Sequence, residues 1–272
     1  MKPMHETDWT ALEYFLNRLE AKLEVTEKYA KDLDELLDDS RVEASLVDEP
    51  IRMIHHMACT GGTMFSKCIA SMANVVVLNE VNPFHATIHD EIKFNPTDMV
   101  ALIQQGDKSL ATDELITEVF LKELEILHKQ CWLTGRVLVL RDHTYSQFLI
   151  GDYNPEKPIL REIIEERFRV LSFVTTRDTQ KAFRSMSKQG WHKKFEPSTI
   201  EEYERRHDIF LKRFKDVPII RYEDFCSQPK GKMREICEIL DLTYFSDFEK
   251  VFSSFRFSGD SGRGGNTIIS GR

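Results

Sequence analysis

Short apolar runs alternate with amphipathic stretches from residue 51 to residue 241, and this alternation constrains the fold more than any other feature. The runs are short and rich in β-branched residues, as buried strands are, whereas the stretches place apolar residues at helical spacing. Strands separated by helices form parallel sheets, because each connection must cross over the sheet. The pattern predicts an α/β domain of three layers, α/β/α, around a central parallel sheet. Strands are predicted at 51–54, 73–78, 136–140, 170–176 and 217–220, and helices at 64–72, 97–106, 112–131, 158–167, 177–186, 199–214 and 229–240.

The first 47 residues differ from the rest of the 272-residue chain. Residues 8–41 repeat Leu, Phe and Tyr at helix-like spacing among many charged residues, which predicts an amphipathic helix or helical pair. We therefore divide the chain into an N-terminal helical segment, 1–47, and one α/β domain, 48–272. The segment is expected to pack on that domain, with dimerisation into a homodimer as the alternative.

Composition narrows the functional classes. The formal net charge of −8 opposes broad nucleic-acid binding. No apolar run is long enough for membrane insertion, and the N-terminus lacks the apolar core of a signal peptide, so a cytoplasmic location is expected. The five cysteines form no C-x-x-C pair, which favours reduced thiols over a zinc site.

A small-residue loop, Ala58-Cys59-Thr60-Gly61-Gly62-Thr63, joins the first predicted strand to its helix. Glycines let a backbone approach a ligand closely, and the N–H groups that begin a helix attract anions. The loop therefore predicts a site for phosphate or sulfate, although a plain strand-to-helix turn can carry glycines as well. It is not a Walker A loop, since Thr63 follows Gly62 where that motif has lysine.

Polar residues follow the predicted strands, at the edge where open α/β sheets build their sites. Glu80, Asn82 and His85 follow the second strand and are candidates for contacting a substrate. Arg141-Asp142-His143 follows the third strand and offers a histidine beside a guanidinium and a carboxylate. The alternative for this triplet is structural: His143 caps the next helix while Asp142 pairs with Arg141.

The later strands have similar endings. Arg177 follows the fourth strand, Ser185 lies eight residues on, and Asp178 or Thr179 is expected to cap the helix that carries Ser185. Arg221-Tyr222-Glu223-Asp224-Phe225 follows the last strand. Four glycines within residues 258–265 predict a loop that approaches a ligand closely.

In this order, four of these elements resemble the sulfotransferases that use 3′-phosphoadenosine 5′-phosphosulfate (PAPS), whose P-loop fold is related to nucleotide kinases. Cys59-Thr60-Gly61-Gly62-Thr63 is similar to the family's 5′-phosphosulfate loop, and Arg177 with Ser185 matches its 3′-phosphate motif. The 221–225 stretch resembles the family's Arg-Tyr-Glu-Asp-Leu, and Gly262-Arg263-Gly264-Gly265 resembles its C-terminal Arg-Gly loop. The resemblance covers about residues 51–266.

The resemblance implies an enzyme that moves a sulfuryl group from PAPS to a hydroxyl or amine and releases 3′-phosphoadenosine 5′-phosphate (PAP), with no metal. His143 is the expected general base, with Glu80 in reserve and Arg141 beside them. The acceptor is expected to be a small molecule or carbohydrate. The residues expected to bind PAPS are Cys59, Thr60, Gly61, Gly62, Thr63, Met64, Arg177, Ser185, Tyr222, Arg263, Gly264 and Gly265.

One position departs from the family pattern. Thr60 stands where the family has Arg or Lys, whose charge stabilises the leaving phosphosulfate. Our hypothesis is that Arg141 or Lys67 replaces that charge.

Two other functions are compatible with the sequence. A kinase-like phosphotransferase would use ATP and magnesium, and it is disfavoured by the missing Walker lysine. A non-catalytic nucleotide-binding protein could keep the same fold.

Overall fold

The computed structural model describes residues 48–84, 98–106, 108–257 and 268. The predicted N-terminal helical segment, His85, and the loop residues Arg263, Gly264 and Gly265 lie outside the described residues.

The described residues form a five-stranded sheet in the order β2-β3-β1-β4-β5. Every neighbouring pair of strands is parallel. The predicted α/β architecture with a central parallel sheet is thus confirmed. The strands are β1 (Ile51–His56), β2 (Val75–Val81), β3 (Val137–Asp142), β4 (Val170–Thr176) and β5 (Ile219–Arg221).

Helices connect the strands and cover the sheet. In chain order they are α1 (Gly62–Ala70), α2 (Met99–Gly106), α3 (Asp113–Leu133), α4 (Thr144–Phe148), α5 (Leu160–Glu165), α6 (Thr179–Ser187), α7 (Ile200–Arg213), α8 (Tyr222–Ser227), α9 (Pro229–Leu240) and α10 (Phe248–Val251). Short 3₁₀ turns lie at Lys108–Leu110, Trp191–Lys194 and Phe252–Ser254. The helix at 229–240 has the predicted bounds, and Asp178 caps α6 by accepting from the Lys181 amide.

Alternation along β1 divides the core between the two faces of the sheet. Ile54 packs in a cluster with α1, α9 and α10, whereas Ile51 and Met53 pack in another with α3 and α5. A third cluster joins Val174 of β4 to α6 and α7. Each face is therefore covered by helices, and the layers are α/β/α as predicted.

The strand order places the loop after β1 at the centre of the sheet. The chain continues from β1 to β2 and β3 on one side and then crosses to β4 and β5 on the other. The carboxyl ends of β3 and β4 therefore flank this loop. Open α/β sheets bind ligands where the strand order reverses in this way.

Four strands, β1, β2, β3 and β5, end later in the chain than the sequence predicts. β2 runs to Val81, so Asn79 and Glu80 belong to the strand instead of the loop after it. The ladder with β3 shifts register between Leu78 and Val81, and Glu80 has a positive φ of 60°. The apolar run in the sequence ends at Leu78, because polar Asn79 and Glu80 occupy the irregular part of the strand. β3 likewise includes Arg141 and Asp142.

Candidate active site

The loop after β1 has the backbone of an anion site. Cys59 and Gly61 adopt positive φ angles of 65° and 98°, and α1 begins at Gly62. Among the residues that the structure describes, no side chain caps α1, and the first turn of this helix holds no acidic residue. The N–H groups at this end are therefore available to an anion, which the helix dipole also favours.

Both glycines of the loop are required by close packing. A Cβ on Gly61 would lie 2.4 Å from Cδ2 of Tyr222, and one on Gly62 would lie 2.7 Å from the ring of His56. Tyr222 comes from α8 after β5, and His56 ends β1. The loop is thus held between a ring from the start of α8 and a ring from the end of β1.

The buried side chain of Thr60 stabilises the loop. Its buried Oγ1 donates to the Met57 carbonyl at 2.8 Å and lies 3.2 Å from Oγ1 of Thr175 in β4. Met64 packs against the core cluster of Ile54. Within the predicted binding loop, Thr60 and Met64 therefore offer a ligand backbone groups and not their side chains.

Arg141 connects the loop to the end of β2. Its guanidinium donates to Oγ1 of Thr63 at 3.2 Å, to Oδ1 of Asn79 at 2.7 Å and to the carboxylate of Glu80. The side chain is only 4% exposed, and burial lowers the pKa of Arg141 against the opposing effect of Glu80. Even so, an arginine with a carboxylate partner stays protonated at neutral pH. A fixed positive charge therefore lies beside the first turn of α1.

His56, which the sequence analysis did not single out, orients Arg141. Its Nε2 accepts from Nε of Arg141 at 2.8 Å, so Nδ1 is the protonated nitrogen and donates to the Met57 carbonyl at 3.0 Å. Burial, and next the charge of Arg141, hold the pKa of His56 well below its usual 6.5. The ring is therefore neutral. The sequence could have indicated this role of His56 by its position, because it is the last residue of the central strand and comes just before the loop.

Glu80 and His143 form a pair at the ends of β2 and β3. Nε2 of His143 lies 3.2 Å from Oε2 of Glu80, whose other oxygen accepts from Arg141. Burial raises the pKa of Glu80, with Arg141 opposing the shift. The positive φ of Glu80 directs a carboxylate out of a distorted strand, as is common at functional sites.

In the structural alternative for the 141–143 triplet, the pairing of Asp142 with Arg141 is wrong. Asp142 pairs with Nδ1 of His55 at 2.8 Å, and Arg141 pairs with Glu80. His143 does occupy the N-cap position of α4, although within the described part of the chain its side chain forms no capping hydrogen bond there.

Arg177 lies on the other side of the loop, at the end of β4. Its Nη1 donates to the Cys59 carbonyl at 3.2 Å, and its guanidinium lies 4.9 Å from the ring centre of Tyr222. Burial raises the pKa of Tyr222 to about 12. The structure thus brings Arg177, Tyr222 and the loop together, as expected from their sequence positions.

Two predicted residues are not joined to this group. Ser185 is half-buried on α6, and within the described part of the chain it makes no hydrogen bond to the loop. Lys67 lies in the last turn of α1, whereas the loop precedes the first. Of the two candidates to replace the family's basic residue, Arg141 contacts the loop, through Thr63.

A narrow cleft opens beside His143. Asn82, Phe84, Gln147 and Lys157 contribute to its walls. Nδ2 of Asn82 donates to Ser146 at 2.7 Å, which ties the end of β2 to α4. Of the substrate candidates after β2, Asn82 therefore lies next to His143.

Among residues 48–84, 98–106, 108–257 and 268, no group of three or more His, Cys, Asp or Glu could hold a metal ion. Over the same residues, no helix has the length and apolar character needed to cross a membrane.

No protein-family model and no curated protein matches the chain. Among solved structures, it is similar to two sulfotransferase domains. The domain from the Synechococcus PCC 7002 olefin synthase has a TM-score of 0.47 and 14% identity, over 74% of this chain and 76% of that one. The domain from the curacin biosynthetic pathway has a TM-score of 0.49 and 13% identity, over 82% and 88% of the two chains.

Proposed function

We propose that this protein transfers a sulfuryl group from PAPS to a hydroxyl of an acceptor and releases PAP. The observation that supports this most is the placement of Arg141. Its guanidinium contacts Thr63 at the anion-binding end of α1 and also Glu80, which holds His143. The guanidinium of Arg141 therefore contacts both the site for the leaving phosphate and the Glu80–His143 pair, which can accept a proton.

The donor has two anionic ends, and the chain offers cations that match them. The loop amides and the first turn of α1 suit the 5′-phosphosulfate, with Arg141 in place of the family's basic residue. Arg177 suits the 3′-phosphate, because its guanidinium lies on the β4 side of the loop against Tyr222. Ser185, Arg263, Gly264 and Gly265 are proposed to complete that second site.

Transfer requires the acceptor oxygen to attack sulfur in line with the phosphate that leaves. The bond between sulfur and the phosphate oxygen breaks as the new bond from sulfur to the acceptor oxygen forms, and the hydroxyl loses its proton. We assign that proton to His143, whose imidazolium is stabilised by Glu80. Arg141 and the α1 amides stabilise the negative charge that builds up on the leaving phosphate.

The first experiment is calorimetric binding of PAP without metal, compared with ATP and magnesium. We expect PAP to bind in the micromolar range and ATP with magnesium to bind much more weakly. The reverse preference would replace this proposal with an ATP-dependent phosphotransferase.

The catalytic part of the proposal is tested with His143→Gln. PAP release from PAPS is measured over a panel of hydroxyl and amine acceptors. The variant should bind PAP normally and release it about 10²–10⁴-fold more slowly. If wild-type protein binds PAP but no acceptor raises its release above that of the variant, the protein binds the nucleotide without catalysing transfer.

A further inference from the structure

A basic segment adjoins the candidate site in an otherwise acidic protein. Between Asp178 and Glu196 the sequence contains no Asp or Glu, although the whole chain has a formal charge of −8. Five Lys or Arg lie in this segment, and we call them the basic strip. They are Lys181, Arg184, Lys188, Lys193 and Lys194.

The first three members lie on one side of α6, with Lys188 as its C-cap residue. Lys181, Arg184 and Lys188 follow at i, i+3 and i+7, which places them within one narrow stripe. All three are exposed, as are Lys193 and Lys194. Within the described part of the chain, none of the five forms an ion pair with a carboxylate.

Two carboxylates of the neighbouring helix α7 are engaged elsewhere. Glu204 of α7 accepts from Thr179 and Gln180 at the start of α6. Glu202 accepts from Arg205 and Arg206 of its own helix. The positive charge of the strip therefore faces solvent, where an anionic ligand could meet it.

The far end of the strip is fixed in place. The Lys194 carbonyl accepts from the Gly151 amide at 2.9 Å. The next residue, Phe195, is buried, and the guanidinium of Arg206 lies 5.1 Å from its ring centre. Arg206 is itself held by the Phe148 and Gly151 carbonyls. Lys193 and Lys194 thus extend from a turn with a defined position.

Aromatic rings lead from the strip to His143. The Trp191 and Tyr145 rings are nearly parallel, with centres 6.5 Å apart and planes at 22°. The Tyr145 and His143 rings meet edge to face, with centres 4.5 Å apart. Nζ of Lys194 donates to the Tyr145 hydroxyl at 3.2 Å. Both aromatic residues are partly exposed. Flat rings of this kind match the C–H faces of sugars, while lysines match acidic groups.

We propose that the basic strip, with Tyr145 and Trp191, binds an acceptor oligosaccharide that carries carboxylate or sulfate groups. The sugar rings lie against the two aromatic side chains, their anionic groups meet the strip, and one hydroxyl reaches His143. This assignment rests on the proposed function, which it completes by naming the class of acceptor.

The test is calorimetric binding of three probes at low and moderate salt: oligogalacturonate, a neutral oligogalactan of equal length, and polyglutamate of equal charge. Oligogalacturonate should bind about tenfold more tightly than either of the others, and binding should weaken with salt. Equal binding of polyglutamate would mean that only charge is recognised, and would overturn the oligosaccharide assignment.

The key variant combines Lys188→Glu with Lys193→Glu, and it should weaken oligogalacturonate binding by about tenfold or more. The matched control combines Lys212→Glu with Lys215→Glu. These two exposed lysines lie in the last turn of α7 and just after it, before the N-terminal end of β5, so the same charge change occurs at the opposite edge of the sheet. Equal losses in both double variants would overturn the assignment to the strip.

Trp191→Ala separates stacking from charge. It should reduce the preference for oligogalacturonate over polyglutamate while leaving the salt dependence in place. Calorimetric PAP binding is measured for every variant. Normal PAP binding with unchanged oligogalacturonate binding in the strip variant overturns this inference alone, whereas absence of PAP binding in the wild type overturns the proposed function itself.

Discussion

The two sides of the loop after β1 are built differently. On the β3 side, Arg141, His56 and His143 are buried, and Arg141 is joined to Thr63, Asn79 and Glu80 by hydrogen bonds. On the β4 side, Arg177 and Tyr222 are partly exposed, and Ser185 lies apart on α6.

This difference matches a division of labour between reaction and binding. Groups that stabilise a transition state work best when they are held in position before the substrate arrives, because little reorganisation is then required. Groups that bind a remote phosphate need only reach it, so partial exposure is compatible with their role. We therefore expect variants on the β3 side to reduce the rate and variants on the β4 side to reduce nucleotide affinity.

The largest effect is expected from Arg141→Ala. Loss of its charge should lower the rate of PAP release from PAPS by about 10²–10³-fold while changing PAP affinity far less. Arg141→Lys keeps the charge without the planar guanidinium and should recover only part of the rate. Lys67→Ala is the matched comparison on α1, and full turnover in Arg141→Ala would show that another group supplies the charge.

Glu80→Gln should have the next largest effect, about 10²-fold on the rate, because the amide cannot stabilise an imidazolium on His143. Protonation of Glu80 in the wild type should likewise lower the rate, because a neutral carboxyl cannot stabilise the imidazolium. Since its pKa is raised, the wild-type rate should fall on acidification at a higher pH than an ordinary carboxylate would give. The pH profile of the variant should lack this decline, and an unchanged profile would exclude Glu80 from the pair.

Arg177→Ala should weaken PAP binding by about 10- to 100-fold, as expected for lost hydrogen bonds to a charged phosphate. The rate at saturating PAPS should change little. Ser185→Ala is expected to lose less affinity, since a hydroxyl carries no charge. Calorimetry and saturation kinetics separate the two quantities. A large loss of rate without loss of affinity in Arg177→Ala would contradict the division of labour.

The smallest effect concerns the stability of the β3 side. The folded-state pKa of His56 lies below its unfolded value of 6.5, so below pH 6.5 the unfolded chain binds a proton that the folded protein does not. The free energy of unfolding should therefore fall with decreasing pH until the folded pKa is reached, by about 1.4 kcal/mol per pH unit for this group.

Urea unfolding at pH 7.5 and 5.5 measures this change. His128 and His207, whose pKa values are also lowered by burial, should contribute in the same direction. His56→Gln should show a smaller difference between the two pH values than the wild type. An equal difference would mean that His56 is not a source of the pH dependence.

The sequence by itself determined the elements and their order. Apolar runs and helical spacing are local patterns, so the strands, most of the helices and the glycine loop after β1 were predictable. Local patterns also indicated which side chains end the central strands, and Arg141, Arg177 and Tyr222 do lie beside the loop.

Only the tertiary structure decided which of these side chains meet. The sequence allowed Asp142 to pair with Arg141, yet Asp142 pairs with His55 and Arg141 with Glu80. The regular register of β1 beside β3 brings His55 next to Asp142, and the irregular register between β2 and β3 brings Glu80 next to Arg141. A one-residue shift in a strand would move every side chain to the other face. His56 acquired its role in the same way, because its contact with Arg141 depends on the packing of neighbouring strands and not on the residues beside it in the chain.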